Sequence, residues 1–195
     1  MRVVMVGLYL GFLVFGCLAC TASNIKSLPI SSHSIVYRAK AHIKAPPETI
    51  WKIILQFERY AKWNPWLFWA KGSPKQGEVV WAKVILGKEK RDAKHIVMEV
   101  EPYTRFCWRD AGWTTIFVYG QRCRYLKKRP DGTTELRQEL MIQGAFSGTA
   151  KRKYGVALQK GLNDETAALK KRAEQFHASF IKKQKNKPKQ NPPSK

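Results

Sequence analysis

Acid–base, thiol and cation chemistry are the three kinds for which this sequence carries side chains. Its four histidines, His33, His42, His95 and His177, titrate near neutrality when unperturbed. None shares a metal-ligand spacing with a cysteine or carboxylate, and none stands in the pattern of a nucleophile, a base and an orienting acid. His33 falls in a Ser-rich stretch, His95 on the polar side of its strand and His177 beside Phe176, so each reads as a surface or edge histidine. No catalytic residue, metal or cofactor is expected. Cys107 and Cys123 fall on successive strands with Gly112 between them. An antiparallel pair would bring them close, as a disulfide in an oxidising compartment or otherwise as two small buried residues. Arg105, Arg109, Arg122 and Arg124 alternate along the same strands. That pattern suits a solvated face, or the holding of a carboxylate or anionic headgroup at a pocket mouth. The aromatic set Trp63, Trp66, Phe68, Trp69, Trp81, Phe106, Trp108, Trp113, Phe117 and Tyr119 exceeds what a core of this size usually needs.

These side chains sit in a chain of 195 residues, the length of one domain of ordinary size. The formal charge is +22, yet 44% of residues are apolar and 12% aromatic. An acidic disordered protein and a solvated polycation are both excluded, and a folded basic domain remains. Four cysteines are too few for a disulfide scaffold.

Residues 3–20 carry no charge after Arg2, and small or polar residues follow at Ala19, Thr21, Ala22 and Ser23. This is the pattern of an export signal over 1–20. Its end resembles a bacterial lipoprotein signal, with lipidation at Cys17 or Cys20; an uncleaved anchor and simple secretion stay open. Export to a membrane-anchored position at the cell envelope is the expected localisation. Residues 21–34 read as a linker and 183–195, rich in lysine and proline, as a disordered tail. The basic surface suits an anionic membrane, at roughly 1 kcal/mol per basic residue near the headgroups. Nucleic acid is not expected, because no reading motif is present and the chain is exported; a monomer is expected.

In the body, 35–43 alternates as a strand. Ala45-Pro46-Pro47-Glu48 ends it and opens a helix carrying Ile50, Trp51, Ile54 and Leu55 on one side. Period-two segments follow over 66–72, 78–86, 91–101, 115–126 and 133–146, separated by Gly and Pro-Asp-Gly turns. Ile96, Met98 and Val100 would share one face, opposite His95 and Glu99. Leu158, Leu162, Leu169, Ala173, Phe176 and Phe180 make an apolar stripe on a long final helix.

The segment Ile43-Lys44-Ala45-Pro46-Pro47-Glu48-Thr49-Ile50-Trp51, then Leu55, Tyr60 and Trp63-Asn64-Pro65, resembles the polyketide cyclase/dehydrase-like branch of the START-like, Bet v 1-like superfamily. Asp131-Gly132-Thr133-Thr134, Gly144-Ala145-Phe146 and the helix with Gly161-Leu162 and Leu169-Lys170 resemble its later landmarks, so the likeness spans 35–182. Gln56 departs from it, standing where aspartate is common. The resemblance implies an α+β helix-grip fold, with a curved antiparallel sheet of about seven strands around a long C-terminal helix and a cavity between them. Phe68, Met98, Trp108, Tyr119, Ile142, Leu162, Leu169 and Phe176 are then the expected lining. The expected partner is a hydrophobic or amphipathic small molecule such as a lipid. Two alternatives are a cyclase or dehydratase with a tuned acid or base in the pocket, and a structural envelope module whose own side chains fill it.

Overall fold

The computed structural model describes residues 26–186. The first strand, β1 (Ile35–Ile43), leads through Ala45 and Pro46 into α1 (Pro47–Leu55). Pro47 occupies the first helical position, where its missing N–H costs nothing, and Glu48 faces the positive end of the dipole. A 3₁₀ segment (Phe57–Lys62) follows, and then five strands: β2 (Leu67–Gly72), β3 (Val79–Leu86), β4 (Glu89–Glu101), β5 (Arg105–Asp110) and β6 (Tyr119–Lys128). β7 (Thr134–Gln143) and the 39-residue α2 (Ser147–Lys185) complete the chain. A 3₁₀ turn, Trp113–Ile116, occupies the start of the expected 115–126 strand, so β6 begins only at Tyr119.

All seven strands join one antiparallel sheet in the order β1-β7-β6-β5-β4-β3-β2. One face packs on α1 and α2 through Ile43, Ile54, Val97, Phe106, Leu136 and Leu169, giving the α+β helix-grip arrangement. α2 runs beside β1, where Gln159 donates to the Arg38 carbonyl (3.0 Å) and the Lys44 N–H donates to Glu174 (2.9 Å). At 1.5 Å per residue this helix is about 58 Å long, more than the sheet can cover. Phe180, expected in the buried stripe, is therefore exposed. The helix also continues to Lys185, three residues into the expected disordered tail, because lysine and glutamine favour helix and the next proline is Pro188.

The other face carries a small second cluster of Met98, Cys107, Cys123 and Tyr125. Cys107 and Cys123 pair directly across β5 and β6 and are joined as a disulfide. The stretch before β1 lies over this face. Ser27 N–H donates to Glu99 (2.6 Å), Leu28 N–H donates to the Gln121 side-chain oxygen (2.7 Å), and Gln121 Nε2 returns a bond to the Leu28 carbonyl (3.1 Å). The expected linker is thus held to the sheet at 27 and 28. Cys17, Cys20 and the rest of 1–20 lie outside the described residues. Among the described residues no helix is long and apolar enough to cross a membrane.

Candidate ligand-binding cavity

Between the α2 side of the sheet and α2 lies a cavity of about 280 Å³. Leu67, Val84, Trp108, Leu140, Ile142 and Leu158 supply apolar wall; His95, Asp110 and Arg122 supply polar groups. Trp66 is set in the wall from two sides. Asn64 Oδ1 accepts the N–H groups of Trp66 (3.0 Å) and Leu67 (2.9 Å), which shapes the turn into β2. On α2, Gly161 leaves the indole its space, since a Cβ there would fall 2.5 Å from the ring.

The buried polar group of the site spans sheet and helix. Arg122 and Arg124 on β6 are 3% and 1% exposed, and Glu165 on α2 is 0% exposed. A single carboxylate oxygen, Glu165 Oε1, accepts from Arg122 Nη2 at 2.7 Å and from Arg124 Nη2 at 2.9 Å. Arg122 Nη2 also donates to Gln138 (2.7 Å), whose amide donates to Thr166 (2.7 Å). Indole faces cover both cations, Trp66 at 4.8 Å from Arg122 and Trp108 at 4.7 Å from Arg124. Burial alone would raise the Glu165 pKa, but the two guanidinium groups outweigh it and hold the carboxyl down to about 2. Burial, and then the neighbouring Arg124, lowers Arg122 to about 10, which leaves it protonated at neutral pH. Tyr60, fully buried and donating to the Ile54 carbonyl (2.7 Å), is raised to about 12 by desolvation.

Toward the open part of the cavity, His95 stacks on Trp108 with centroids 4.8 Å apart, and its Nδ1 lies 3.1 Å from Asp110 Oδ1. Gly120 makes room for that carboxylate: a Cβ there would fall 2.1 Å from Asp110 Oδ2. A histidine held against a carboxylate beside an apolar space is an arrangement that proton-transfer chemistry uses. Among the described residues no group of three or more His, Cys, Asp or Glu is placed to hold a metal ion.

Of the eight residues expected to line the cavity, Trp108 and Ile142 do so. Leu162 and Leu169 are fully buried core of α2 and fall outside the lining. Met98 and Tyr119 correct the expectation, because both lie on the opposite face of the sheet, where the Tyr119 hydroxyl reaches Met98 sulfur (3.8 Å) and Gln121 (2.9 Å). The cause for Met98 is a bulge between Val97 and Glu99, which turns Val97 and Val100 inward and Met98 out. Phe68 sits half-buried at a second bulge, between Leu67 and Trp69, under the Lys90 ammonium (5.6 Å). Phe176 packs away from the cavity, near Lys52, Ile53 and Trp63 at the contact of α1 with α2.

The polar residues were the ones missed. His95, expected on the wet side of its strand, pairs instead with buried Val80 and lines the cavity. Arg122 and Arg124 belong to the core, whereas Arg105 and Arg109 project from the other face beside Cys107. A signal existed for Glu165: with Thr166 it falls between Leu162 and Leu169 at helical spacing, an acid inside an apolar stripe.

A family model described as polyketide cyclase / dehydrase and lipid transport matches residues 34–174. No curated protein matches the sequence. Among solved structures, the Zhui aromatase/cyclase from a Streptomyces species is similar, with a TM-score of 0.63 and 14% identity over 73% of this chain and 95% of that one. A norcoclaurine synthase point mutant from Thalictrum, in complex with a transition-state analogue, gives a TM-score of 0.58 and 10% identity over 76% and 99%. A protein from Thermus thermophilus gives 0.60 and 14% over 73% and 99%. At such identities the likeness is one of fold.

Proposed function

The chain belongs to the polyketide cyclase / dehydrase and lipid transport family, and on that premise we propose that it binds a hydrophobic or amphipathic small molecule, such as a lipid, in the cavity between the sheet and α2. What carries this reading is the cavity itself. It is largely apolar with a few convergent polar groups, and its volume of about 280 Å³ lies at the lower edge of the ~300–1,000 Å³ usual for small-ligand sites. A ligand of modest size, or one end of a longer one, fits that space. Enclosure removes its apolar surface from water at roughly 25 cal/mol per Å².

Ile142 tests the reading. It lines the cavity from β7 opposite Gly120, so Ile142→Trp fills open space. The expected result is a folded variant that takes up a neutral fluorescent probe, N-phenyl-naphthylamine, much more weakly than the parent. A parent that binds no probe, with a variant strained by about 1–3 kcal/mol as in a filled core, would instead support a structural module.

A second reading, an enzyme of the cyclase or dehydratase kind, rests on His95 and Asp110 at the cavity. It requires turnover that His95→Gln abolishes while probe affinity persists. The setting proposed for either activity is an anionic membrane surface outside the cytoplasm, with the chain exported through 1–20 and anchored by lipidation at Cys17 or Cys20. The charge of +22 supports it, as do exposed Ile116 and Phe117, close in sequence to the cavity-lining Thr114 and Val118, and exposed Phe146, whose ring lies 5.4 Å from that of Phe117. Intact mass of membrane-extracted protein decides the anchor: an unacylated chain starting at Met1 would overturn it.

A further inference from the structure

Two cations and one anion are buried together at the wall of the cavity, and their charges do not cancel. Arg122 and Arg124 share the single carboxylate of Glu165, so one positive charge is left over among side chains that are almost fully buried. Buried charges are ordinarily paired, because the desolvation cost of an unpaired ion is large. The faces of Trp66 and Trp108 and the Gln138 oxygen relieve part of that cost. They carry no negative charge. Of the two guanidinium groups, Arg122 is the one that lines the cavity, and its Nε and Nη1 have no hydrogen-bond partner among the described residues. Most of the other charged lining groups have contacts of their own: Arg91 pairs with Glu89 and Asp92 with Lys83, Lys94 lies over the Trp81 ring, and Asp110, about half exposed, lies 3.1 Å from His95 Nδ1.

We infer that Arg122 is a carboxylate-recognition residue, and that the cavity takes a monoanionic amphipathic acid in preference to its neutral ester or alcohol. This rests on the amphipath reading above and specifies its ligand. The ligand's carboxylate supplies the negative charge that the buried cluster lacks, while the apolar wall of Val84, Leu140, Ile142 and Leu158 takes its hydrocarbon part. One surplus charge matches a carboxylate; a dianionic phosphate would overshoot it. Charge-assisted hydrogen bonds to guanidinium in such a setting are stronger than neutral ones.

The experiment is competition against the neutral probe N-phenyl-naphthylamine at neutral pH, using the full chain and three ligands of equal chain length: octanoate, methyl octanoate and octanol. The expected result is that octanoate displaces the probe at a concentration about tenfold or more below that of the other two. In Arg122→Met the three should become equal. The inference is overturned by equal affinity for acid and ester in the parent, which leaves the amphipath reading standing. It is equally overturned by a preference for octanoate that survives in Arg122→Met. A folded parent that binds neither the probe nor any of the three ligands overturns the amphipath reading, and this inference with it. The comparison within the parent needs no variant, so it holds even where Arg122→Met fails to fold.

Discussion

Glu165 shows how one side chain can govern a core. It is the only anion bonded to Arg122 and Arg124 among the described residues, so Glu165→Gln strands two cations in an apolar setting. The expected loss is about 3–5 kcal/mol, read as a lower denaturant midpoint. Arg122→Met has the opposite logic, since it leaves Arg124 and Glu165 as a neutral pair, and it should cost far less. The pH dependence follows from the same contacts. The folded carboxyl lies at about 2 against an ordinary 4.5, because the two guanidinium groups overcome the effect of burial. Its stabilising contribution is complete above about pH 4.5 and is lost as the pH falls toward 2. Glu165→Gln cannot titrate, so denaturation midpoints measured through that interval should fall less steeply in the variant than in the parent. Equal slopes would show that Glu165 is not the group concerned.

At the scale of elements, α2 meets the turn that enters β2 through a glycine and an indole, Gly161 and Trp66. Replacing a helical glycine by alanine ordinarily gains up to ~1 kcal/mol. At Gly161 the new Cβ would fall 2.5 Å from the Trp66 ring, and overpacking of that kind costs about 1–3 kcal/mol. The clash should win. Gly161→Ala is expected to lower the melting temperature and to alter probe binding, because Trp66 lines the cavity and covers Arg122. A rise in melting temperature would mean that the ring relaxes without loss. The bulge in β4 acts at this scale too, since a one-residue offset between Val97 and Glu99 decides which side chains face α2.

For the molecule as a whole, charge is the dominant property. With +22 formal charges, binding to vesicles containing phosphatidylglycerol should exceed binding to neutral vesicles and should weaken steeply between low and physiological salt, as the Debye length shortens from about 30 to about 8 Å. Near the start of α2 the basic residues Lys151, Arg152 and Lys153 are exposed, and the first turn of that helix carries no acid. Charge reversal at these three positions should weaken vesicle binding and leave probe uptake intact. Unchanged vesicle binding would shift the attraction to other basic residues.

The layers of this fold were legible without coordinates. Period-two runs, Gly and Pro-Asp-Gly turns and the apolar stripe are local features, and the landmarks from Ile43 to Pro65 added the order in which they assemble. Leu162 and Leu169 fall in the core as the stripe required, and α1 starts at Pro47 as its proline required. The direction of individual side chains was legible only where strands stay regular. A bulge reverses parity beyond it, so Met98 and His95 exchanged the faces that alternation assigned to them. The pairing of Arg122 and Arg124 with Glu165 joins residues 41 or more positions apart. Charge balance in a core is settled by which elements meet, and only the tertiary structure brings β6 against α2 and leaves one cation at the cavity without its counter-ion.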